Sequence, residues 1–386
     1  MPEPNHPFSF NDAHKRRISR LGEAGHKLVH LSGKAKQPEA DSLIGNIENF
    51  IGMAQVPVGL AGPLRMQGMF AQGDFHIPLA TTEGALVASY SRGMKAITAS
   101  GGASAIILDQ GVQRAPYFSL PDLKTALEFV SWVEEHFQTF VTITSQNSRF
   151  AILQKITPFL NGNAVTLMVE FTTGDAAGQN MVTICTDRIC RHIVANFPAT
   201  IRDWYIEANA SGDKKASRLS FQGVRGKKVS VEVIVPKEVV ASILKTTPKA
   251  MARYARAATY DSLQSGTLGV QAHCANGLAA LFIATGQDAA CVAEAAIGLI
   301  RLEETGEGDL YASGTFPNLI VGTVGGGTGL PTQRECLELM DCYGDGKSGK
   351  LAEITAGVCL AGELSILAAL AAGHFTQAHE ALGRKG

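Results

Sequence analysis

The chain has 386 residues, a formal net charge of −1 and a sequence pI of about 6.8. That length exceeds an ordinary single domain, so two domains, or one domain with an insertion, are expected; no basic bias points to nucleic acid. Seven cysteines, odd in number and without a C-x-x-C pair, exclude a disulfide framework or zinc ribbon and predict reduced thiols in a cytoplasmic setting.

Residues 1 to 47 are polar and mixed and form an N-terminal helical arm, with His14 to Arg17 as a solvated face. No apolar core of signal-peptide length precedes those charges, so no secretion signal is expected. Glu48 to Gly52 and Val56 to Leu64 are turn-rich and apolar, and predict extended chain between buried surfaces. Leu79 to Lys95 then predicts the helix around which the fold is organised. Leu86, Tyr90, Met94 and Ile97 make one apolar stripe, while Gly84, Ala85, Ala88, Ser89, Gly93 and Ala96 make a small face that lets other backbones come close. Thr81 and Thr82 can cap its start, which places Glu83 in the first turn, where the helix dipole favours an acid. Apolar and small flanks predict a partly buried Glu83, a candidate general acid; the competing reading is a solvated acid on a capped helix.

Ala103 to Asp109 predicts a short strand. Beyond about Arg114 the pattern becomes a helix over Pro121 to Phe137, two strands over Phe150 to Pro158 and Ala164 to Thr172 joined by Asn161-Gly162-Asn163, and a helix over Gly174 to Asn196. A hairpin flanked by helices predicts a small α+β unit of ferredoxin-like type. Lys228 to Pro236 alternates as a strand. Helices follow over Lys237 to Leu244, Pro248 to Tyr260, Ala272 to Thr285, Ala289 to Ala296 and Leu351 to Gly373. The last contains the longest apolar stretch, Ile354 to Gly373; Glu363 in its middle makes it a buried core helix in preference to a membrane span. The expected fold is α+β: a large α-rich domain with a central helix (48–113 and 217–386), an inserted small cofactor domain (114–205) and a loop at 206–216.

Several short motifs carry candidate chemistry. Gly174-Asp175-Ala176-Ala177-Gly178-Gln179-Asn180 opens a helix, with Asp175 as a natural N-cap, and its free N–H groups suit an anion as well as they suit plain capping. Gly322 to Gly329 holds too many glycines for an ordinary turn, so either a ligand or another segment lies against its backbone. Neither matches a dinucleotide or P-loop fingerprint. Asp213-Lys214-Lys215 has the composition of a solvated loop. Asp288 caps one apolar helix directly after another, which predicts burial, and His273 and Asn276 share a helix face. His379 follows the terminal helix, where a lone histidine is ordinarily surface decoration.

Together these segments resemble the 3-hydroxy-3-methylglutaryl-coenzyme A reductase family from about Glu48 to His379. The shared strings are ENFIG at 48–52, PVGLAGPL at 57–64, ATTEG at 80–84, GDAAGQN at 174–180, DKK at 213–215, GQDAA at 286–290, GTVGGGTGLPTQ at 322–333 and LAGELSILAALAAGH at 360–374. The resemblance is closer to the NADPH-using class than to the NADH-using one. It implies a four-electron reduction of a thioester to mevalonate with release of coenzyme A, and a catalytic set of Glu83, Lys214, Asp288 and His379. It further implies NADPH contacts at Ser148, Arg149, Phe150, Asp175, Ala176, Ala177, Gly178, Gln179, Asn180, Gly325, Gly326 and Gly327. Arg114, Lys215 and Asn276 would surround the acyl group; Ser89, Arg92 and Lys95 would meet coenzyme A. The family implies no metal, and active sites between the subunits of a homodimer or homotetramer.

The chain also departs from the family pattern. DAAGQN replaces the usual DAMGMN, ANASG replaces GNYCT, and Glu207 stands where a serine usually touches the substrate carboxylate, a like charge that is unfavourable unless Glu207 turns away or is protonated. Two alternatives to the leading function follow: a reductase of a related acyl-coenzyme A, or of mevalonate breakdown, separable by substrate profiling; and a non-catalytic acyl-coenzyme A binder, which unchanged turnover in Lys214→Ala would favour.

Overall fold

A computed structural model describes residues 10–373. Helix α1 (Phe10–Glu23) opens the arm. Strands β1 (Val58–Gln67) and β2 (Gln72–Ala80) pair antiparallel, and helix α2 (Leu86–Ala99) follows. Next come β3 (Ser104–Arg114), β4 (Tyr117–Ser119), α3 (Leu123–Glu135), α4 (Phe137–Asn147), β5 (Ile152–Asn161), β6 (Ala164–Thr172), α5 (Gln179–Asn196) and β7 (Asp203–Tyr205). The chain continues through α6 (Leu219–Gln222), β8 (Gly226–Val235), α7 (Lys237–Val239), α8 (Pro248–Ser265), α9 (Cys274–Thr285) and α10 (Val292–Ala295). It ends in β9 (Leu299–Glu304), β10 (Leu310–Leu319), α11 (Pro331–Leu339) and α12 (Ser348–Ala371).

The eight-stranded antiparallel sheet runs β7-β4-β6-β3-β8-β10-β9, with β5 paired to β6. Strand β3 joins its two halves: Ser104 to Gly111 pair with β8, and Val112 to Arg114 pair with β6. The sheet is larger than expected, because β9 and β10 lie in a stretch for which the sequence pattern predicts no element. LIRLEE alternates as a half-buried strand should, but Gly314 and Pro317 interrupt the apolar pattern of its partner.

Helix α12 runs through the core, packed on α2, α8, α9 and on strands β3, β8 and β10. It is long and apolar enough to cross a membrane, yet 83% of its most apolar window is buried inside the protein. Two fully buried acids on it are satisfied by backbone. The Glu353 carboxylate accepts from the N–H groups of Met69, Phe70 and Ala71 at 3.1, 2.8 and 2.7 Å, which fixes the β1–β2 turn. Glu363 accepts from Ala272 and His273 N–H, both at 2.8 Å, which fixes the entrance to α9. Hydrogen bonds of this charged kind are each worth about 1.5–3 kcal/mol.

The small face of α2 does what its composition requires. A methyl at Gly93 would fall inside the Ala361 carbonyl of α12, so the two backbones touch. Tyr90, fully buried, donates to the His273 carbonyl at 3.1 Å and accepts from Gly277 N–H at 2.9 Å. Two expectations for this region are corrected. The helix begins at Leu86 rather than at the threonines, because Ala85 takes a left-handed φ of 69°. Glu83 therefore precedes the helix in a turn and is exposed, not partly buried.

Candidate active site

Three motifs, far apart in sequence, meet. Gln287 pairs with Gly322 in both directions: its amide Nε2 donates to the Gly322 carbonyl at 3.0 Å, and its Oε1 accepts from Gly322 N–H at 2.8 Å. Gly322 in turn lies against Ala177 N, where a Cβ would stand only 2.6 Å away, and Thr323 N–H donates to the Asp175 carbonyl at 2.9 Å. Gly327 sits on the Gly286 backbone. The glycine run thus packs against segment at Gly322 and Gly327, whereas the Cβ positions of Gly325 and Gly326 face open space.

Asp175 does not cap α5, as its place before that helix suggests. Its carboxylate accepts from Gly346 N–H at 2.7 Å and Ser348 N–H at 3.0 Å, at the start of α12. Partial burial pushes its pKa up, but the N–H groups of Gly346 and Ser348 outweigh that and hold it below the usual carboxylate value. The N-cap of α5 is Gly178, at φ 76°, without a side-chain hydrogen bond. The first N–H groups of α5 remain open to an anion.

The ion pair at the centre joins Lys214 to Asp288, Nζ to Oδ2 at 3.1 Å, with side chains 46% and 40% exposed. The Asp288 hydrogen bond raises the Lys214 pKa, ahead of a small opposing desolvation. Asp288 does cap the turn after α9, accepting from Ala290 N–H at 3.0 Å, but it is exposed, not buried as its apolar neighbours suggest. Lys214 itself has a left-handed φ of 56°.

Behind this pair lies a buried polar cluster that the sequence did not disclose. Arg225, its side chain 4% exposed, donates to Asp213 Oδ1 at 2.7 Å and lies 3.5 Å from Glu294 Oε1; Glu294 is fully buried. The same Glu294 oxygen accepts from Lys214 N–H at 3.1 Å. Gln179 Nε2 donates to Cys291 Sγ at 2.9 Å, while its Oε1 accepts from Arg225 at 3.4 Å. Burial raises the Glu294 pKa, opposed by Lys214 N–H and by Arg225. Asp213, Cys291 and Glu294 bring ligand atoms within 4.8 Å of one another, but the Arg225 guanidinium already supplies the positive charge that the two carboxylates require. One signal could have found Glu294: it is a lone acid in the apolar string VAEAAIG, the same argument that pointed to Glu83.

The other candidate residues make contacts of their own. Arg114 is buried, with donors committed to Thr183 Oγ1 at 2.8 Å and the carbonyls of Gln113 and Gln179; burial lowers its pKa, and nearby Asp213 opposes that. Lys215 Nζ folds back to the Asp213 carbonyl at 2.9 Å. Asn276 sits in the first turn of α9, half-buried. Glu207 Oε2 accepts from Ala115 N–H at 3.1 Å, its Oε1 is buried without a partner, and its charge is felt at Arg114. On α2, Arg92 donates to Ser365 Oγ at 3.0 Å and to its carbonyl at 2.6 Å, Ser89 meets Ser365 Oγ at 2.9 Å, and Lys95 is exposed. Ser148 Oγ accepts from Phe150 and Ala151 N–H groups, which leaves Arg149 and Phe150 exposed together. Among the described residues nothing pairs with the Glu83 carboxylate; His379 lies outside them.

Fold and site together set a lysine, held charged by a carboxylate, beside the entrance to α5 and the glycine run. The chain matches the model of hydroxymethylglutaryl-coenzyme A reductase over residues 13–384, and it belongs to that family. A 3-hydroxy-3-methylglutaryl-coenzyme A reductase of Aeropyrum pernix is 45% identical, covering 97% of this chain and 93% of the relative. One of Pyrococcus horikoshii is 46% identical over 96% and 91%. The structure of the class II reductase of Streptococcus pneumoniae, bound to NADPH, shares the fold with a TM-score of 0.74 at 17% identity, covering 94% of this chain and 98% of that one.

Proposed function

We propose that this chain reduces 3-hydroxy-3-methylglutaryl-coenzyme A to mevalonate, consuming two NADPH and releasing coenzyme A. The observation that carries the reading is the Lys214–Asp288 pair at 3.1 Å, standing where the family's helix entrance, aspartate turn and glycine run converge.

The residues present suit NADPH. Uncapped N–H groups at the start of α5 suit a diphosphate, the exposed Arg149 suits a 2′-phosphate, and the open space on the Cβ side of Gly325 and Gly326 leaves room for a ligand. Ser148 and Phe150 would flank Arg149, the Asp175 to Asn180 segment would shape the helix entrance, and Gly327 would fix the glycine run. Bound there, NADPH supplies the hydride for each reduction.

The chain's own groups manage charge and protons. Lys214 donates a hydrogen bond to the oxyanion formed on the thioester carbonyl, and Asp288 keeps its ammonium charged and aimed. His379, assigned from sequence, protonates the departing thiolate. Glu83 gives a proton to the aldehyde oxygen in the second reduction. Arg114, Lys215 and Asn276 are assigned to the acyl group, and Ser89, Arg92 and Lys95 to coenzyme A.

Residues 114–205 form the cofactor unit in this reading, and the working enzyme is a homodimer or larger, with Glu83 of one subunit completing the site of another. Support comes from Glu83, which is exposed and finds no partner for its carboxylate among the described residues. Seven free, buried cysteines support a cytoplasmic location. The deciding experiment follows NADPH oxidation by purified protein with 3-hydroxy-3-methylglutaryl-coenzyme A, beside NADH and other acyl-coenzyme A thioesters. Turnover with two NADPH oxidised per coenzyme A released is expected. Activity only with another thioester overturns the acyl assignment, and none with any overturns the reading.

A further inference from the structure

The catalytic pair is exposed, yet it stands on a buried one. Lys214 occupies a left-handed conformation that a non-glycine residue holds only when its surroundings over-determine it. Those surroundings are specific. Glu294 takes the Lys214 N–H, and Arg225 clamps the preceding residue, Asp213, through its carboxylate. Arg225 N–H donates to Asn318 Oδ1 at 3.1 Å, and Asn318 Nδ2 reaches both Ser220 Oγ at 2.6 Å and the Glu294 carbonyl at 3.3 Å. The loop that carries Lys214 is therefore held on two consecutive residues by a block set at the residue before β8, on β10 and on α10.

The block also touches the cofactor side. Gln179, first residue of α5, bridges Arg225 to Cys291, three residues beyond Asp288. An apolar residue at any of these points would break the chain of contacts from helix entrance to lysine loop.

We propose that Glu294 and Arg225 are positioning residues, which hold the Lys214 loop in its left-handed turn so that Nζ is aimed at Asp288. Neither needs to touch substrate; both act through the backbone and carboxylate next to the lysine. The proposal rests on the function proposed above only for its kinetic readout. Removing the Glu294 carboxylate orphans the Lys214 N–H and frees the turn to relax, so Nζ drifts from Asp288. Asp288, Asp213 and Cys291 are the titratable groups that face this ammonium, and the hydrogen bond to Asp288 is the largest of their effects.

The test compares Glu294→Ala with Glu294→Gln, whose amide oxygen still accepts from Lys214 N–H. Glu294→Leu, which fills the volume without an acceptor, replaces the alanine variant should that fold poorly. The alanine or leucine variant is expected to lose about 100-fold in kcat with little change in KM, the scale of a displaced catalytic group, and the glutamine variant to retain most of its turnover. Independently of turnover, the pH dependence of Lys214 acylation by an amine-reactive reagent, followed by peptide mass spectrometry, is expected to shift toward that of an ordinary lysine in the alanine or leucine variant alone. A folded variant without the acceptor that keeps both the wild-type kcat and the wild-type acylation curve overturns the proposal, as does one in which only KM changes. Should the wild-type protein fail to reduce the thioester, the function falls while the acylation curves still decide the positioning role.

Discussion

At the scale of single residues, Asp288 decides how long Lys214 stays charged as pH rises. Its hydrogen bond lifts the ammonium pKa above the ordinary lysine value. A raised folded-state pKa contributes stability that is complete below the unfolded value and is lost as pH climbs through the folded one. The charge of the Lys214 ammonium follows the same course, present below the raised pKa and gone above it. Asp288→Asn is therefore expected to move the alkaline limb of the pH–rate profile to lower pH and to cost about 100-fold in kcat/KM, the usual scale for a charged oxyanion donor. An unmoved limb would mean that another group sets it. The pair itself could not be read from spacing, since 74 positions separate Lys214 from Asp288 and a charged triplet in a loop has the composition of solvated surface. Family motifs pointed to both residues; chemistry alone pointed only to Asp288, and through an expected burial that its 40% side-chain exposure contradicts. Asp288 crowns its turn instead of lying beneath it.

At the scale of elements, α2 was legible because its two faces obey one period, and the packing explains why the small face is small. Gly93 meets the Ala361 backbone of α12, while the buried Tyr90 ring fills the space left by Gly277 and Gly362. Gly93→Ala forces the crossing apart and is expected to destabilise the fold by about 1–3 kcal/mol or more, seen as a lower urea midpoint with an unchanged m-value. An unchanged midpoint would show that the crossing can spread without loss. Helix α12 was harder to read by period because it is buried on every side, so length and the lone Glu363 had to stand in for a polar face. Strands β9 and β10 were missed for the opposite reason: six residues of β9 are too few to assert a pattern, and glycine and proline disguise β10. Strand pairing draws its stability from partners distant in sequence, which a local reading cannot weigh.

At the scale of the whole molecule, the described residues leave the proposed constellation incomplete. Lys214 and Asp288 are joined within it, whereas Glu83 sits exposed in the turn before α2 with no partner for its carboxylate among the described residues. An acid intended to deliver a proton in a water-excluded site needs walls, and the described residues do not supply them at Glu83. A second copy can, and a two-fold arrangement places two such half-sites reciprocally. The arrangement makes a quantitative forecast. Suppose Glu83→Ala and Lys214→Ala chains, each nearly inactive alone, are mixed under conditions that exchange subunits. A mixed dimer then contains one site with both substitutions and one with neither. Random exchange makes half of the dimers mixed, so activity should recover to about a quarter of the wild-type value in an equimolar mixture. Sites complete within one chain would recover nothing, because every chain carries a lesion. Recovery that depends on exchange, absent when the two preparations are mixed without it, would locate Glu83 and Lys214 on different subunits of the same working site.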